Sequence, residues 1–174
     1  MAADETASSF EQFVATRWAA LFRTAYLLTG HRVDAEDVLQ TTLVKAFASW
    51  AKVAKAQSAE AYVRRMLVND FISSRRSSWH RRRADVQQIE VPVPGHGEGV
   101  VDRLSLWEQV RTLPPRQRAV IVLRYYEDLT ERQIADTLGC SPGNVKSQAS
   151  DALRSLRVGL GTEAVTEGGV DERA

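Results

Sequence analysis

From Met1 to Val91 the chain contains no proline and a single glycine, Gly30. A stretch this long with one glycine and no proline to break it has to be built from helices joined by short polar connections. Phe10, Phe13, Val14, Trp18, Leu21, Phe22, Ala25 and Leu28 recur at spacings of three and four, which predicts a helix over 9–28 with one apolar face. Gly30 is its natural stop. Asp34 is suited to cap a second helix, with Asp37 in the first turn, where the helix dipole favours a carboxylate. Leu39, Leu43, Ala46, Phe47 and Trp50 would line the buried side of that helix. Ser58 can cap a third, whose inner face is Tyr62, Val63, Met66, Leu67 and Phe71. Three such helices can close a small bundle core.

The punctuation then changes. Val91 to Val100 (VPVPGHGEGV) holds two prolines and three glycines and has no helical period, as expected of a flexible linker. A second helical block follows from Asp102 to Val158, interrupted at Leu113–Pro115, Asp128–Thr130 and Gly139–Pro142. Within it, Thr130-Glu131-Arg132-Gln133 fits the capping box, and Ile134, Ala135 and Leu138 form the apolar side of the helix it opens. Gly139 ends that helix, and Ser141 caps the next, with Pro142 at the first position where no amide donor is lost. Val145, Ala149, Ala152 and Leu156 set the buried stripe of this last helix. The tight connection through Gly139, Cys140 and Ser141 is that of a helix-turn-helix.

The expected fold is therefore all-α. A three-helix bundle occupies 8–83, a linker 84–101, a four-helix helix-turn-helix domain 102–158, and an acidic disordered tail 159–174.

Composition narrows the class. With 44% hydrophobic residues, 26% charged residues and a net charge of +1, the chain is neither fibrous nor wholly disordered. No apolar run approaches the roughly 18 residues a membrane helix needs, so no membrane insertion is expected. The acidic, small-residue start lacks the pattern of a secretory signal. A lone Cys140 cannot form an internal disulfide, which points to a reducing cytoplasm. The three histidines, His31, His80 and His96, stand in no ligand spacing with Cys140. No phosphate loop, nucleophile elbow or carboxylate pair is present, so neither catalysis nor a metal or other cofactor is expected.

Charge is unevenly placed. Arg64, Arg65, Arg75, Arg76, Arg81, Arg82 and Arg83 crowd one segment against Asp70, while Glu163, Glu167, Asp171 and Glu172 mark the end. Such asymmetry suggests a cationic surface for an anionic partner. A net charge near zero argues against strong unaided DNA binding, because counterion release needs many cationic contacts. If the apolar stripe of the last helix is buried, its outer face carries Gly143, Ser147, Ser150, Asp151 and Arg154, flanked by Asn144, Lys146 and Gln148. Small and polar residues near a helix N-terminus let it approach base edges in the major groove. A polar-sided helical hairpin with no DNA to read would carry the same pattern.

Three stretches resemble the short, two-domain extracytoplasmic-function group of bacterial RNA polymerase sigma factors. DAEDVLQTTLVKAF (Asp34 to Phe47) and AYVRRMLVNDFISSRRSSWHRR (Ala61 to Arg82) are similar to the family's region 2. LPPRQRAVIVLRYYEDLTERQIADTLGCSPGNVKSQASDALRSLR (Leu113 to Arg157) is similar to region 4. The resemblance implies a cytoplasmic promoter-specificity subunit that binds core RNA polymerase through its clamp helices and flap. Such a subunit recognises the −35 and −10 promoter elements and helps open the DNA. It further implies that Asp37 and Gln40 contact the clamp helices. Asn69 would pair with an unstacked base of the −10 element, the loop Ala51 to Gln57 would capture a flipped base, and Arg64, Arg65, Arg75 and Arg76 would hold the opened strand. Trp79 would stack on a base. Asn144, Lys146, Ser147, Gln148, Ser150 and Arg154 would face the −35 duplex, and Arg116, Arg118 and Arg124 would reach phosphates.

The family often has tryptophan at the position of Tyr62, and arginines at those of Gln148 and Asp151. Many members are held inactive by an anti-sigma protein. A dimeric helix-turn-helix regulator is the alternative from the residues alone, and a helical adaptor that never meets DNA is a second.

Overall fold

A computed structural model describes residues 2–78 and 99–167. Every regular element in these residues is a helix: α1 (Ala2–Thr29), α2 (Arg32–Ala48), α3 (Trp50–Val53), α4 (Ala59–Ser78), α5 (Gly99–Thr112), α6 (Pro115–Ile121), α7 (Glu131–Leu138) and α8 (Pro142–Glu167). A π-helical turn, Val122–Tyr126, extends α6. The protein is all-α, as the patterning requires. The chain divides into two compact units, one of Met1–Ile89 with Asp136–Gly139, the other of Glu90–Ala135 with Cys140–Ala174.

In the first unit α1, α2 and α4 form the bundle, with α3 as a single turn at one corner. Leu21, Ala25 and Leu28 of α1, Ala35, Leu39 and Ala46 of α2, and Val63, Leu67 and Phe71 of α4 are buried. Burying a side chain of the size of Leu or Phe stabilises by about 1.5–3 kcal/mol, so this shared apolar seam is the main force closing the bundle. Three threonines are buried beside it. The hydroxyls of Thr24 and Thr29 donate to carbonyls four residues back, Ala20 at 3.1 Å and Ala25 at 2.9 Å, and Thr42 Oγ1 shares its one proton between the Val38 carbonyl and Asp70 Oδ2, each at 2.9 Å, which removes the penalty of hiding a hydroxyl.

Gly30 ends α1 at φ 72, and its amide donates to the Tyr26 carbonyl at 2.7 Å. The start of α2 differs from expectation. His31, in extended backbone, occupies the cap without a side-chain bond, and Asp34 lies in the first turn. There its carboxylate meets the positive end of the helix dipole. The chain also breaks at Ser49, so Trp50 opens α3 and is buried from that position. Phe47, expected inside, is 51% exposed, although its ring lies 5.0 Å from that of Phe10. Ser58 caps α4 as expected, its Oγ accepting from the Ala61 amide at 3.1 Å.

In the second unit Val110 and Leu113 pack with Ile121, Ala152 and Leu156, flanked by Trp107 and Leu153. Ile121, Val122 and Leu123 are core, as expected. The wider π turn, closed by the Glu127 amide on the Val122 carbonyl at 3.1 Å, turns Tyr125 and Tyr126 outward. Arg118 is buried at 7% exposure; its guanidinium donates to the carbonyls of Arg111 and, at 3.3 Å, of Leu113. It therefore closes the end of α5 instead of reaching phosphates, a correction to the sequence reading. Helix α5 starts at Gly99, three residues before the expected Asp102, and α8 continues past Val158 to Glu167. Linker residues 84–98 and tail residues 168–174 lie outside the described residues.

Candidate nucleic-acid interface

The helix-turn-helix is assembled by local chemistry. The Thr130 amide donates to Gln133 Oε1 at 2.9 Å, and the Gln133 amide returns to Thr130 Oγ1 at 3.3 Å, completing the capping box that starts α7. Gly139 adopts φ 62, and the Cys140 amide bonds the Ala135 carbonyl at 3.0 Å. The Asn144 amide then donates to Ser141 Oγ at 3.2 Å, with Pro142 at the first helical position of α8. A Cβ on Gly139 would meet nothing within 4 Å, so the left-handed backbone alone requires glycine. Gly139→Ala should accordingly destabilise the helix-turn-helix by about 1–2 kcal/mol, seen as a lower urea midpoint at unchanged slope.

Val145, Ala149, Ala152 and Leu156 of α8 are all buried. The face left outside carries Asn144, Lys146, Ser147, Ser150 and Arg154, with Gln148 half-buried at its edge. Asp151 lies on this surface too, and its Oδ1 accepts from Arg154 Nη1 at 3.2 Å. The neighbouring guanidinium offsets the charge of this carboxylate. Arg116 is exposed at the start of α6. Arg124 pairs with Glu131 at 3.3 Å and covers the Tyr125 ring at 5.7 Å. Leu106, Trp107, Val110, Tyr125, Tyr126 and Leu153 line an apolar cavity of about 480 Å³ in this unit.

In the first unit Arg65 and Asn69 are exposed, four residues apart on one face of α4, with Ile72 half-buried beside them. Arg76 falls in the same helical register, while Arg64 and Arg75 occupy another. The Arg64 side chain is 16% exposed, and Glu60 stands between it and Arg17, at 3.3 Å from each. Tyr62 is half-buried. Trp79 lies outside the described residues.

The segment 51–57 is the end of α3 followed by a turn, with Lys52 and Lys55 exposed. It is anchored by Trp50, whose ring meets Phe10 edge-on at 5.2 Å and Phe13 at 5.1 Å, and whose Nε1–H donates to Ser9 Oγ at 3.3 Å. On α2, Asp37 and Gln40 are exposed, and Val44 and Phe47 extend the same face as an apolar strip. Val44, 70% exposed, was absent from the sequence reading. Its place three to four residues beyond Gln40 and before Phe47 was the available signal.

Residues 14–81 match the family model for Sigma-70 region 2, and residues 103–156 match that for Sigma-70, region 4. The RNA polymerase sigma-E factor of Streptomyces avermitilis is 39% identical over 153 residues, covering 85% of this chain and 83% of that protein. The chain belongs to the sigma-70 family of RNA polymerase sigma factors, in the extracytoplasmic-function group. The ECF RNA polymerase sigma factor SigL of Mycobacterium tuberculosis is 35% identical over 153 residues, 85% of this chain and 86% of that one.

Two solved structures share the fold. The sigma factor RpoE of Bartonella quintana, bound to the anti-sigma factor NepR, gives a TM-score of 0.69 at 24% identity over 87% of this chain and 96% of that one. CnrH, in complex with the cytosolic domain of CnrY, gives 0.62 at 23% identity over 92% and 95%.

A sigma factor is a promoter-recognition subunit of RNA polymerase, so this chain's partners are the polymerase and promoter DNA. Sigma factors are promoter-specificity proteins, not catalysts, and no cluster of metal-ligating side chains occurs among the described residues. None of the described helices is long and apolar enough to cross a membrane.

Proposed function

We propose that residues 8–83 of this sigma factor dock on the polymerase clamp helices and hold the opened −10 strand, while residues 102–158 read the −35 duplex. On this reading 84–101 is the tether, and the protein acts in the cytoplasm alongside polymerase. The observation that carries the proposal is the presence of two different exposed faces on one small bundle. Asp37, Gln40 and Val44 on α2 combine polar and apolar contact, as a protein partner requires. Arg65 and Asn69 on α4 offer a cation for phosphate and an amide for a base edge.

Asn69 pairs with an unstacked base, and Arg65, Arg64, Arg75 and Arg76 serve the strand's phosphates. Engaging Arg64 requires a phosphate to compete with Glu60. Trp79 supplies a stacking surface. In the second unit Asn144, Lys146, Ser147, Gln148 and Ser150 meet the −35 groove, and Arg154 and Arg116 meet its backbone. The apolar cavity receives the polymerase flap.

Tethering raises the effective concentration of each module once the other is bound, so each can be weak alone. In a mobility-shift assay the isolated chain should bind promoter DNA poorly, and tight, salt-sensitive binding should appear on adding core polymerase. Strong sequence-specific binding by the chain alone would contradict the proposal.

The Asp151–Arg154 pair gives a second expected result. In complex with polymerase, Asp151→Asn should tighten binding to −35 duplex by about threefold, the gain shrinking as salt rises. Weaker binding by that variant would instead show the carboxylate contacting a base.

A further inference from the structure

A polar node interrupts the apolar seam between α2 and α4. Thr42, fully buried in α2, has its Oγ1 2.9 Å from Asp70 Oδ2 on α4, and Lys45 Nζ pairs with the other carboxylate oxygen, Oδ1. The Asp70 side chain is only 16% exposed, whereas that of Lys45 is 54% exposed. One carboxylate is thus clamped from two successive turns of α2 by a hydroxyl and an ammonium.

Apolar side chains specify burial, but they tolerate small slips and rotations; a polar group at a helix interface specifies register. Asp70 immediately follows Asn69, about 100° further round the helix. With side chains about 5–6 Å from the helix axis, a rotation of α4 by about 10° would carry the Asn69 amide about 1 Å. That exceeds the tolerance for a positioned hydrogen-bonding group.

We propose that Asp70 is a positioning residue, which locks α4 to α2 through Thr42 and Lys45 so that docking of α2 on polymerase sets where Asn69 meets the opened strand. The inference rests on the reading of α2 and α4 given above. Asp70 touches neither partner. It converts a docked position on one helix into an aimed amide on the other.

The test uses the full chain with core polymerase and a promoter duplex, and measures polymerase affinity, permanganate reactivity of −10 thymines, and thermal melting. Asp70→Ala should bind polymerase within about twofold of wild type, yet lose about tenfold in thymine reactivity. Asp70→Asn, which retains an acceptor for Thr42 but not the ion pair, should fall between. A contact serving stability alone would lower both readouts together, or neither, and either result overturns the proposal. If Asp70→Ala has no melting transition, Lys45→Gln, altered at the exposed arm of the node, should show the same separation of docking from opening; equal losses in the two would refute it. Failure of the wild-type chain to bind polymerase would refute the functional reading itself. Normal opening by wild type and Asp70→Ala alike would refute only the positioning role.

Discussion

Asn69→Ala should leave the protein folded and bound to core polymerase while sharply reducing promoter opening. Asn69 is exposed on α4, so truncating it removes no core contact, and stability should change by less than about 0.5 kcal/mol. An amide that forms two hydrogen bonds to a base edge contributes about 1–3 kcal/mol of discrimination, equivalent to roughly 5–150-fold in the population of opened complex. The measurement is abortive transcript yield beside polymerase affinity, with Arg65→Ala as the comparison. Arg65, reading charge and not shape, should lose affinity for every promoter equally and reduce the salt slope by about one. Asn69→Ala should lose most on the preferred −10 sequence and least on a substituted one. Undiminished transcription by Asn69→Ala would remove α4 from strand recognition.

The second large effect is on stability. Arg118→Ala should destabilise the second unit by about 3 kcal/mol, because hydrogen bonds from a charged donor are lost and carbonyls are left buried without that donor. The Arg111 carbonyl belongs to the last turn of α5, where no intrahelical amide can reach it. For a unit of this size the change corresponds to a melting temperature lower by about 10–20 °C, measurable by circular dichroism. Arg118→Lys should recover only part of the loss, since both bonds are made by Nη2, one covalent bond further from the backbone than a lysine Nζ can stand. Arg116→Ala, two residues away but exposed, should melt like wild type and weaken only DNA binding. Melting of Arg118→Ala within about 2 °C of wild type would show that the bond network does not hold α5.

These two arginines show where sequence reasoning stops. Arg116 and Arg118 carry the same charge in the same helix, and a count of cations treats them alike. What separates them is which one faces the end of α5, and that depends on the packing of a helix whose position no local pattern records. Phe47 and Trp50 make the same point for apolar residues. Both fit the buried side of one long second helix, but the break at Ser49 sends Trp50 into the core and leaves Phe47 half outside. Glu60, unremarkable in sequence, proves to hold Arg17 and Arg64 together.

The sequence alone determined whatever is decided within four or five residues. The Thr130–Gln133 capping box, the left-handed Gly139, the Ser141 and Ser58 caps and the buried stripe of α8 are bonds and spacings between near neighbours, so residue identity suffices to specify them. It also determined the family, through motifs in a set order. Only the tertiary structure decided which charges face each other across helices: Arg118 on the end of α5, Glu60 between two arginines, and Asp70 on Thr42 and Lys45. Apart from Arg64, four residues from Glu60 on the same helix, their partners lie 5 to 43 residues away along the chain, and helix rotation and crossing bring them together. Those geometries emerge from packing the apolar seams as a whole, and no single residue carries them.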